Sequence, residues 1–295
     1  MDDVINKRAH NFLKPLHTIR IRITPIYDIL IKLYFMLQSR LMENPQQSYI
    51  GKRFEFKYFL NPIEAKKVEA FLLTHARLTP DENSKNGAYF VNSLYFDTPF
   101  MGDYMEKDGS ILVRKKVRAR MYDDCWHDNL KGVWLEVKHK RNMNIKKTRA
   151  RISGDTWKSF ITHNDPHTLL TTAKADSQEN KDDIQNFAHT HIRQSYSPST
   201  VVRYKRKAYL ANFTSLVRIT FDYDIEACRF ENASHPHNLV PVSHQAVIME
   251  VKFNDKLPWW FTHMLAQFDL RRTDFSKYRN SVAVLRGIQR IPISK

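Results

Sequence analysis

The stretch Ile111–Tyr122, which reads ILVRKKVRARMY, decides the fold because its charges recur at every second position. Side chains two residues apart lie on the same face of a β-strand. The basic residues that share one face are Arg114, Lys116, Arg118 and Arg120. Val113, Val117 and Ala119 point to the other face. The pattern therefore predicts a strand with one basic face and one apolar face.

Five other stretches repeat this alternation. Their polar rows are Glu55 and Lys57; Glu136, Lys138 and Lys140; Lys147, Arg149 and Arg151; Arg218, Thr220 and Asp222; and Glu250 and Lys252. An ordinary sheet with one solvated face explains a single such row. It explains six rows less well, because like charges on adjacent strands destabilise a sheet unless something neutralises them. The rows predict a closed barrel with its basic faces inward, a cationic tunnel for a polyanion.

The rest of the chain predicts further strands and a few covering helices. We expect strands at 53–60, 91–96, 111–122, 133–140, 146–152, 200–210, 216–225 and 246–253, and helices at 62–76, 155–162, 258–268 and 280–288. Asn61 and Pro62 supply an N-cap and a first helical residue. Residues 164–199 are polar without sustained periodicity, so we interpret them as a long insertion or mobile connection. The fold class is α+β, an antiparallel β-barrel with flanking helices.

Composition points to an anionic partner. The 295 residues include 47 Lys and Arg against 31 Asp and Glu, a net charge of +16. Such a charge favours nucleic acid, anionic lipid or a phosphate-rich ligand. The hydrophobic content of 42% excludes global disorder. Cys125 and Cys228 show no metal-like spacing, which indicates a reducing, cytoplasmic compartment.

Residues 1–48 are predicted to form a basic amphipathic helical segment and a linker, ahead of a main domain at 49–295. The apolar run 23–37 contains Asp28 and Lys32, so it is too short and too charged to span a bilayer. This helix either packs on its own domain or lies on a membrane surface, where it could dock a membrane protein. The second alternative would make the protein peripheral to a membrane.

Eight short motifs follow one another in the main domain. They are Phe54–Tyr58 (FEFKY), Ser93–Thr98 (SLYFDT), Lys116–Tyr122 (KVRARMY), Leu135–Lys140 (LEVKHK), Tyr204–Tyr209 (YKRKAY), Val217–Asp222 (VRITFD), Met249–Lys252 (MEVK) and Ser276–Tyr278 (SKY). In this order they resemble the VTC (vacuolar transporter chaperone) domain of polyphosphate polymerases, within the triphosphate tunnel metalloenzyme superfamily. The resemblance covers roughly residues 53–287, with 164–199 outside it.

The resemblance implies a triphosphate tunnel fold and a metal-dependent transfer of the ATP γ-phosphate to a growing polyphosphate chain. The implied catalytic residues are Lys57, Arg118, Arg120, Lys138, Arg218 and Lys252. The implied substrate-binding residues are Lys140, Arg149, Tyr204, Arg206, Ser276 and Lys277. Glu250 is the candidate ligand for Mn²⁺ or Mg²⁺. ATP and inorganic polyphosphate are the implied partners.

One position departs from the relatives that act as class IV adenylyl cyclases or thiamine triphosphatases. Those relatives open with E-x-E-x-K, whereas Arg53 holds the first position here. The departure favours polymer synthesis over triphosphate hydrolysis, and it puts in doubt any metal site that needs a glutamate there.

Two alternatives use the same tunnel: a non-catalytic binder of polyphosphate or inositol pyrophosphate, and a triphosphate hydrolase. Nucleic-acid binding is not expected, because no recognisable module accompanies the charge. Ion pairing explains Glu136 better than metal binding does. The aromatic residues interpreted as core are Tyr95, Phe96, Trp134, Tyr209, Trp259 and Trp260.

Overall fold

The alternating stretches form one antiparallel sheet in a computed structural model of the chain. The structure describes residues 53–84, 86–106, 113–127, 129–141, 144–212, 216–230, 238–243, 245–254 and 257–288. The predicted N-terminal segment at 1–48 and the Arg53 side chain lie outside this description. None of the helices in the described ranges has the length and apolar character needed to cross a membrane.

The described ranges contain ten strands: β1 (Arg53–Leu60), β2 (Thr79–Pro80), β3 (Tyr89–Asp97), β4 (Val113–Met121), β5 (Val133–Arg141), β6 (Asn144–Ile152), β7 (Ser197–Asn212), β8 (Leu216–Arg229), β9 (Val240–Pro241) and β10 (Val247–Asn254). Eight of them lie in the order β1-β10-β8-β7-β3-β4-β5-β6, while β2 pairs with β7 and β9 with β8.

The sheet curls into a half-barrel. Lys138 Nζ on β5 lies 3.4 Å from Glu55 Oε2 on β1, although five strands separate β1 and β5 in the sheet order. The two edge strands, β1 and β6, do not pair with each other within the described residues. The predicted α+β class with a barrel-like antiparallel sheet and flanking helices is confirmed. Within the described residues the sheet is an open half-barrel, however, and not the closed barrel that the charged rows predict.

Seven helices accompany the sheet in the described ranges: α1 (Pro62–His75), α2 (Gly102–Met105), α3 (Gly154–His163), α4 (Pro166–Thr172), α5 (Gln178–Gln194), α6 (Trp259–Gln267) and α7 (Lys277–Leu285). The predicted start of α1 is confirmed as a capping box. Asn61 Oδ1 accepts from the Glu64 amide at 2.8 Å, and Glu64 Oε2 accepts from the Asn61 amide at 3.0 Å. Two amides that the helix leaves unpaired are thereby satisfied.

Two apolar clusters cover the convex face of the sheet. Helices α3 to α5 pack over β4, β5 and β6, where Phe160 and Phe187 contact the cluster that contains Val137. Helices α1 and α6 pack over β1, β10 and β8, where Leu72 and Trp260 are fully buried. Each such side chain contributes about 1.5–3 kcal/mol by leaving water. The helices therefore hold the apolar rows outward and leave the charged rows on the concave face.

The interpretation of residues 164–199 as a mobile connection is wrong, because they form regular secondary structure. They contain α4, α5 and the beginning of β7. The buried residues of α5 are Ile184, Phe187, Ala188 and His191, at the spacing of one helical face. Polar side chains between them hide this periodicity in the sequence. His191 sits in the core, where burial lowers its pKa to about 4, and its Nε2 lies 3.0 Å from Asn164 Oδ1.

Helix α7 lies against the concave face rather than outside the sheet. Phe275, Tyr278 and Val282 pack on a third apolar cluster that includes Tyr95. The Tyr278 ring stacks on Tyr95 with centroids 4.8 Å apart, and its hydroxyl donates to buried Asp97. Helix α7 begins at Lys277, earlier than predicted, and its N-cap Ser276 contacts Lys116 in the charged row of β4.

The adjacent tryptophans at the start of α6 separate. Trp260 is fully buried, as predicted, whereas Trp259 is 67% exposed. Successive residues of a helix point about 100° apart, so only one member of the pair can face the sheet. The interpretation of Trp259 as core is wrong.

Candidate anion-binding site

The cross-strand register places the charged rows on a single concave face. Arg118 lies opposite Tyr95 on β3 and Glu136 on β5, and Glu250 lies between Lys57 and Thr220. The predicted site residues on or against this face are Lys57, Arg118, Arg120, Lys138, Lys140, Arg149, Tyr204, Arg206, Arg218, Glu250, Lys252, Ser276 and Lys277. The structure thus brings all of them together, while their roles stay predictions.

A first group of charges, the lysine–carboxylate cluster, consists of Glu55, Glu250, Lys57, Lys138 and Lys252. The Lys57 ammonium lies 3.2 Å from Glu55 Oε1 and 3.9 Å from Glu250 Oε2. Lys252 pairs with Glu250 and lies 3.9 Å from Glu55 Oε2. Because Lys138 also contacts Glu55, this cluster joins strands from the two sides of the half-barrel.

The charge states of this cluster follow from burial and from its neighbours. Burial opposes ionisation of Glu250, but Lys252 and Lys57 outweigh it and hold its pKa well below the usual value. Burial and Glu250 oppose ionisation of Glu55, but the surrounding lysines bring its pKa down to about 2. Burial also lowers the pKa of Lys138, and the charges of Lys57 and Lys252 add to that effect. The cluster therefore carries more positive charge than its carboxylates neutralise.

A second group, the Glu136 cluster, consists of Glu136, Arg118, Lys147 and Arg149. Glu136 is 1% exposed and accepts from Arg118 Nε at 2.7 Å and from Lys147 Nζ at 2.6 Å, while Arg149 Nε lies 3.2 Å from its Oε1 as an ion pair. The prediction that Glu136 forms ion pairs is confirmed. Burial lowers the pKa of Lys147 to about 7 against the pull of Glu136, and Arg118 lowers it further. In this cluster, too, the basic side chains outnumber the single carboxylate.

A third group, the Asp222 cluster, consists of Asp222, Arg206 and Lys277. Arg206 forks onto the two oxygens of Asp222 at 2.6 and 2.8 Å, and Lys277 Nζ lies 2.5 Å from Oδ2. All three side chains are buried or nearly so. Both cations also lie over the Tyr204 ring, whose hydroxyl is 3.3 Å from Arg120 Nη2. The tyrosine thus joins this cluster to the basic row of β4.

Two contacts tie α7 to the charged face. Lys57 Nζ donates to the Phe275 carbonyl at 2.9 Å, and Lys116 Nζ donates to Ser276 Oγ at 2.6 Å. Lys116 and Lys147 belong to the predicted rows but were not predicted as site residues. The sequence predicts that α7 begins at Asn280, so it did not identify Ser276 as the N-cap or indicate that Ser276 lies close to Lys116.

Asp81 is a further residue that sequence analysis missed. Its Oδ2 accepts from Arg218 Nη2 at 2.7 Å, which anchors the guanidinium beside β7 and β8. Asp81 lies in a turn between β2 and a short 3₁₀ segment, Glu82–Ser84, where no periodicity marks a side chain. No sequence signal could have found this contact, since 137 positions separate the two residues.

A divalent cation fits this face only if a bound phosphate compound supplies some of its oxygen ligands. The described residues contain no group of three or more His, Cys, Asp or Glu that could hold a metal ion. Glu55 and Glu250, on neighbouring strands, both contact Lys57 and Lys252. Mg²⁺ is commonly held by one or two carboxylates together with substrate phosphates. The pair fits that kind of site, in which phosphate oxygens complete the ligand set.

Comparisons with known proteins give one family and several distant structural likenesses. The family model described as the VTC domain matches residues 52–286, a range that runs through 164–199. No curated protein matches the chain.

Three solved structures align with low similarity. They are a candidate adenylate cyclase from Bacillus halodurans (12% identity, 76% of this chain, 95% of that chain, TM-score 0.41), a candidate adenylyl cyclase from Hippeastrum described as having a dominant triphosphatase activity (13%, 81%, 97%, 0.44), and a protein from Pyrococcus horikoshii OT3 (10%, 79%, 98%, 0.39).

Proposed function

This chain belongs to the VTC domain family, and on that premise we propose that it transfers the γ-phosphate of ATP to the end of a polyphosphate chain on the concave face of its sheet. Family membership supports a function related to polyphosphate or triphosphate. The polymerase activity is the finer step that we propose here.

The observation that carries the proposal is the surplus of positive charge in a face whose cations are already held in place. Glu136 fixes Arg118, and Asp222 fixes Arg206, each through short charged hydrogen bonds. Phosphoryl transfer depends mainly on positioning and on neutralisation of charge spread over oxygens. Fixed cations supply both without reorganising during the reaction.

The reaction balances without any further reactant. A terminal phosphate oxygen of the polymer forms a bond to the γ-phosphorus of ATP, the bond from the γ-phosphorus to the β–γ bridging oxygen breaks, and ADP leaves. Arg118, Arg120 and Arg206 would bind non-bridging oxygens through those guanidinium N–H groups that do not donate to their protein partners. Lys57 would orient the attacking chain end, because it lies between both carboxylates and the start of α7.

Mn²⁺ or Mg²⁺ is part of the proposal. Glu250, ionised and buried, would hold the cation together with Glu55 and the substrate phosphates. The cation would supply Lewis-acid stabilisation of the phosphoryl oxygens. Lys57 and Lys252, which now contact these carboxylates, would then be released to bind phosphate.

Sizing the products made from ATP tests the proposed function. We expect the purified chain with ATP and Mn²⁺ to yield ADP and an acid-labile polymer that grows with time, and to lose this activity with a chelator. Free phosphate without polymer would instead identify a triphosphate hydrolase. Tight retention of added polyphosphate with no turnover of ATP would identify a binding domain. Either of these outcomes rejects the polymerase.

A further inference from the structure

Three aromatic residues line the concave face beyond the Glu136 cluster. We name Tyr89, Tyr122 and Trp134 the aromatic collar. The Tyr89 and Tyr122 rings meet edge to face with centroids 5.9 Å apart. Trp134 was interpreted as core, but its side chain is only half-buried and lies opposite Arg120 and Arg151, on the concave side. The collar therefore adds flat apolar surface to a face that is otherwise charged.

Arg149 holds the collar in one arrangement. Its guanidinium lies 3.7 Å from the centroid of the Trp134 ring, and its Nη2 donates to Tyr122 Oη at 2.8 Å. The same side chain contacts Glu136 Oε1 at 3.2 Å. These three contacts hold the guanidinium against the ring, so Trp134 and Arg149 present a stacked pair.

Part of the surface of the collar is exposed and could contact a ligand. Tyr122 is 38% exposed and Arg149 35% exposed, so the group is not closed over by other side chains. Aromatic rings and arginine planes that border a cationic groove are the surfaces on which nucleic-acid bases stack. Stacking of this kind needs no particular hydrogen-bond pattern, because every base has a flat face.

The collar residue Trp134 lies on the same face of β5 as the residues proposed to bind phosphate. Trp134, Glu136 and Lys138 follow one another on the same face of β5. Four residues along a strand correspond to about 13 Å, so Trp134 lies about that far from Lys138 along the strand. A ribose and a triphosphate can bridge such a separation. The Glu136 cluster lies between the two, where the first phosphates would pass.

We propose that the aromatic collar binds the base of a nucleoside triphosphate whose phosphates run from the Glu136 cluster towards Lys138 and Lys57. This inference rests on the proposed function, which places the triphosphate on the concave face. The collar then fixes the direction of the nucleotide, with its γ-phosphate at the lysine–carboxylate cluster.

Paired affinity measurements with ATP and tripolyphosphate test the collar, because the two ligands share the phosphates and differ in the nucleoside. Calorimetric titrations would use the wild type, Trp134→Leu and Trp134→Phe, with unfolding curves to check that each variant folds. We expect Trp134→Leu to weaken ATP binding about tenfold, as for the loss of one stacked base, and to leave tripolyphosphate within about twofold. Trp134→Phe should retain most of the ATP affinity. Trp259→Leu, on the exposed start of α6, is the matched control and should change neither affinity.

Two results would overturn the collar alone. Equal weakening of ATP and tripolyphosphate in Trp134→Leu would mean that Trp134 acts only by holding Arg149. Unchanged ATP affinity in that variant would place the base elsewhere. A wild type that binds neither ligand would reject the proposed function itself, and the collar with it.

Discussion

Replacing Lys57 with alanine is expected to reduce the rate of polymer formation from ATP by about 10²–10³-fold, the usual loss when one preorganised charge-stabilising group is removed from a reacting centre. Burial opposes the charge of Lys57, yet Glu250 and Glu55 raise its pKa above the usual value, so the ammonium is charged throughout the neutral range. Its ammonium contacts both carboxylates that would hold the metal and donates to the Phe275 carbonyl. Initial rates of polymer formation at saturating ATP would measure the loss.

Lys67→Ala is the matched control, because Lys67 is an exposed lysine on α1, on the convex side of the sheet. Its rate should stay within about twofold of the wild type. A Lys57→Ala variant that folds normally and keeps its rate would remove Lys57 from the reacting centre. Equal losses in both variants would point to a general effect of charge.

Replacing Asp222 with asparagine is expected to lower the free energy of unfolding by about 3–5 kcal/mol, the usual cost when a buried ion pair loses one partner. The carboxylate is fully buried and is the shared counter-ion of Arg206 and Lys277. An amide of the same shape would leave two buried cations without a negative charge between them. Denaturant unfolding curves for the two proteins would measure the difference.

Asp224 offers a control on the same strand. Its side chain is 67% exposed and pairs with Lys205, itself 46% exposed, at 3.5 Å. Exposed pairs of this kind contribute about 0–1 kcal/mol. Asp224→Asn should therefore change the unfolding free energy by less than about 1 kcal/mol. Similar losses for the two variants would contradict the structural role given to Asp222.

The sheet could be predicted because the alternation that defines its strands involves only residues close together in the sequence. Alternation at every second position fixes which side chains share a face, and each row, from Glu55 and Lys57 through to Glu250 and Lys252, lies on the concave side as expected. The capping box at Asn61 is equally local. The eight motifs in their order were sufficient to indicate the VTC domain family, and the match to the family model confirms it.

Features that depend on distant contacts could not be predicted. The partner of Arg218 is Asp81, in a turn that no pattern marks. Alternation places Trp134 on the same face as Glu136, but its stacking with Arg149 on the neighbouring strand could not be predicted. Helix α5 was missed because its apolar face is short and includes His191, which is polar by type but buried by position.

Binding of tripolyphosphate to the wild type, Lys252→Ala and Lys205→Ala tests the central claim most directly, because it asks which face of the sheet holds phosphate. Lys252 lies on the concave face against Glu250, whereas Lys205 pairs with Asp224 on the other side of β7. We predict that calorimetry will show a loss of about tenfold or more in affinity for Lys252→Ala and no change for Lys205→Ala. Equal affinities in all three proteins, or equal losses in both variants, would contradict a phosphate site on the concave face.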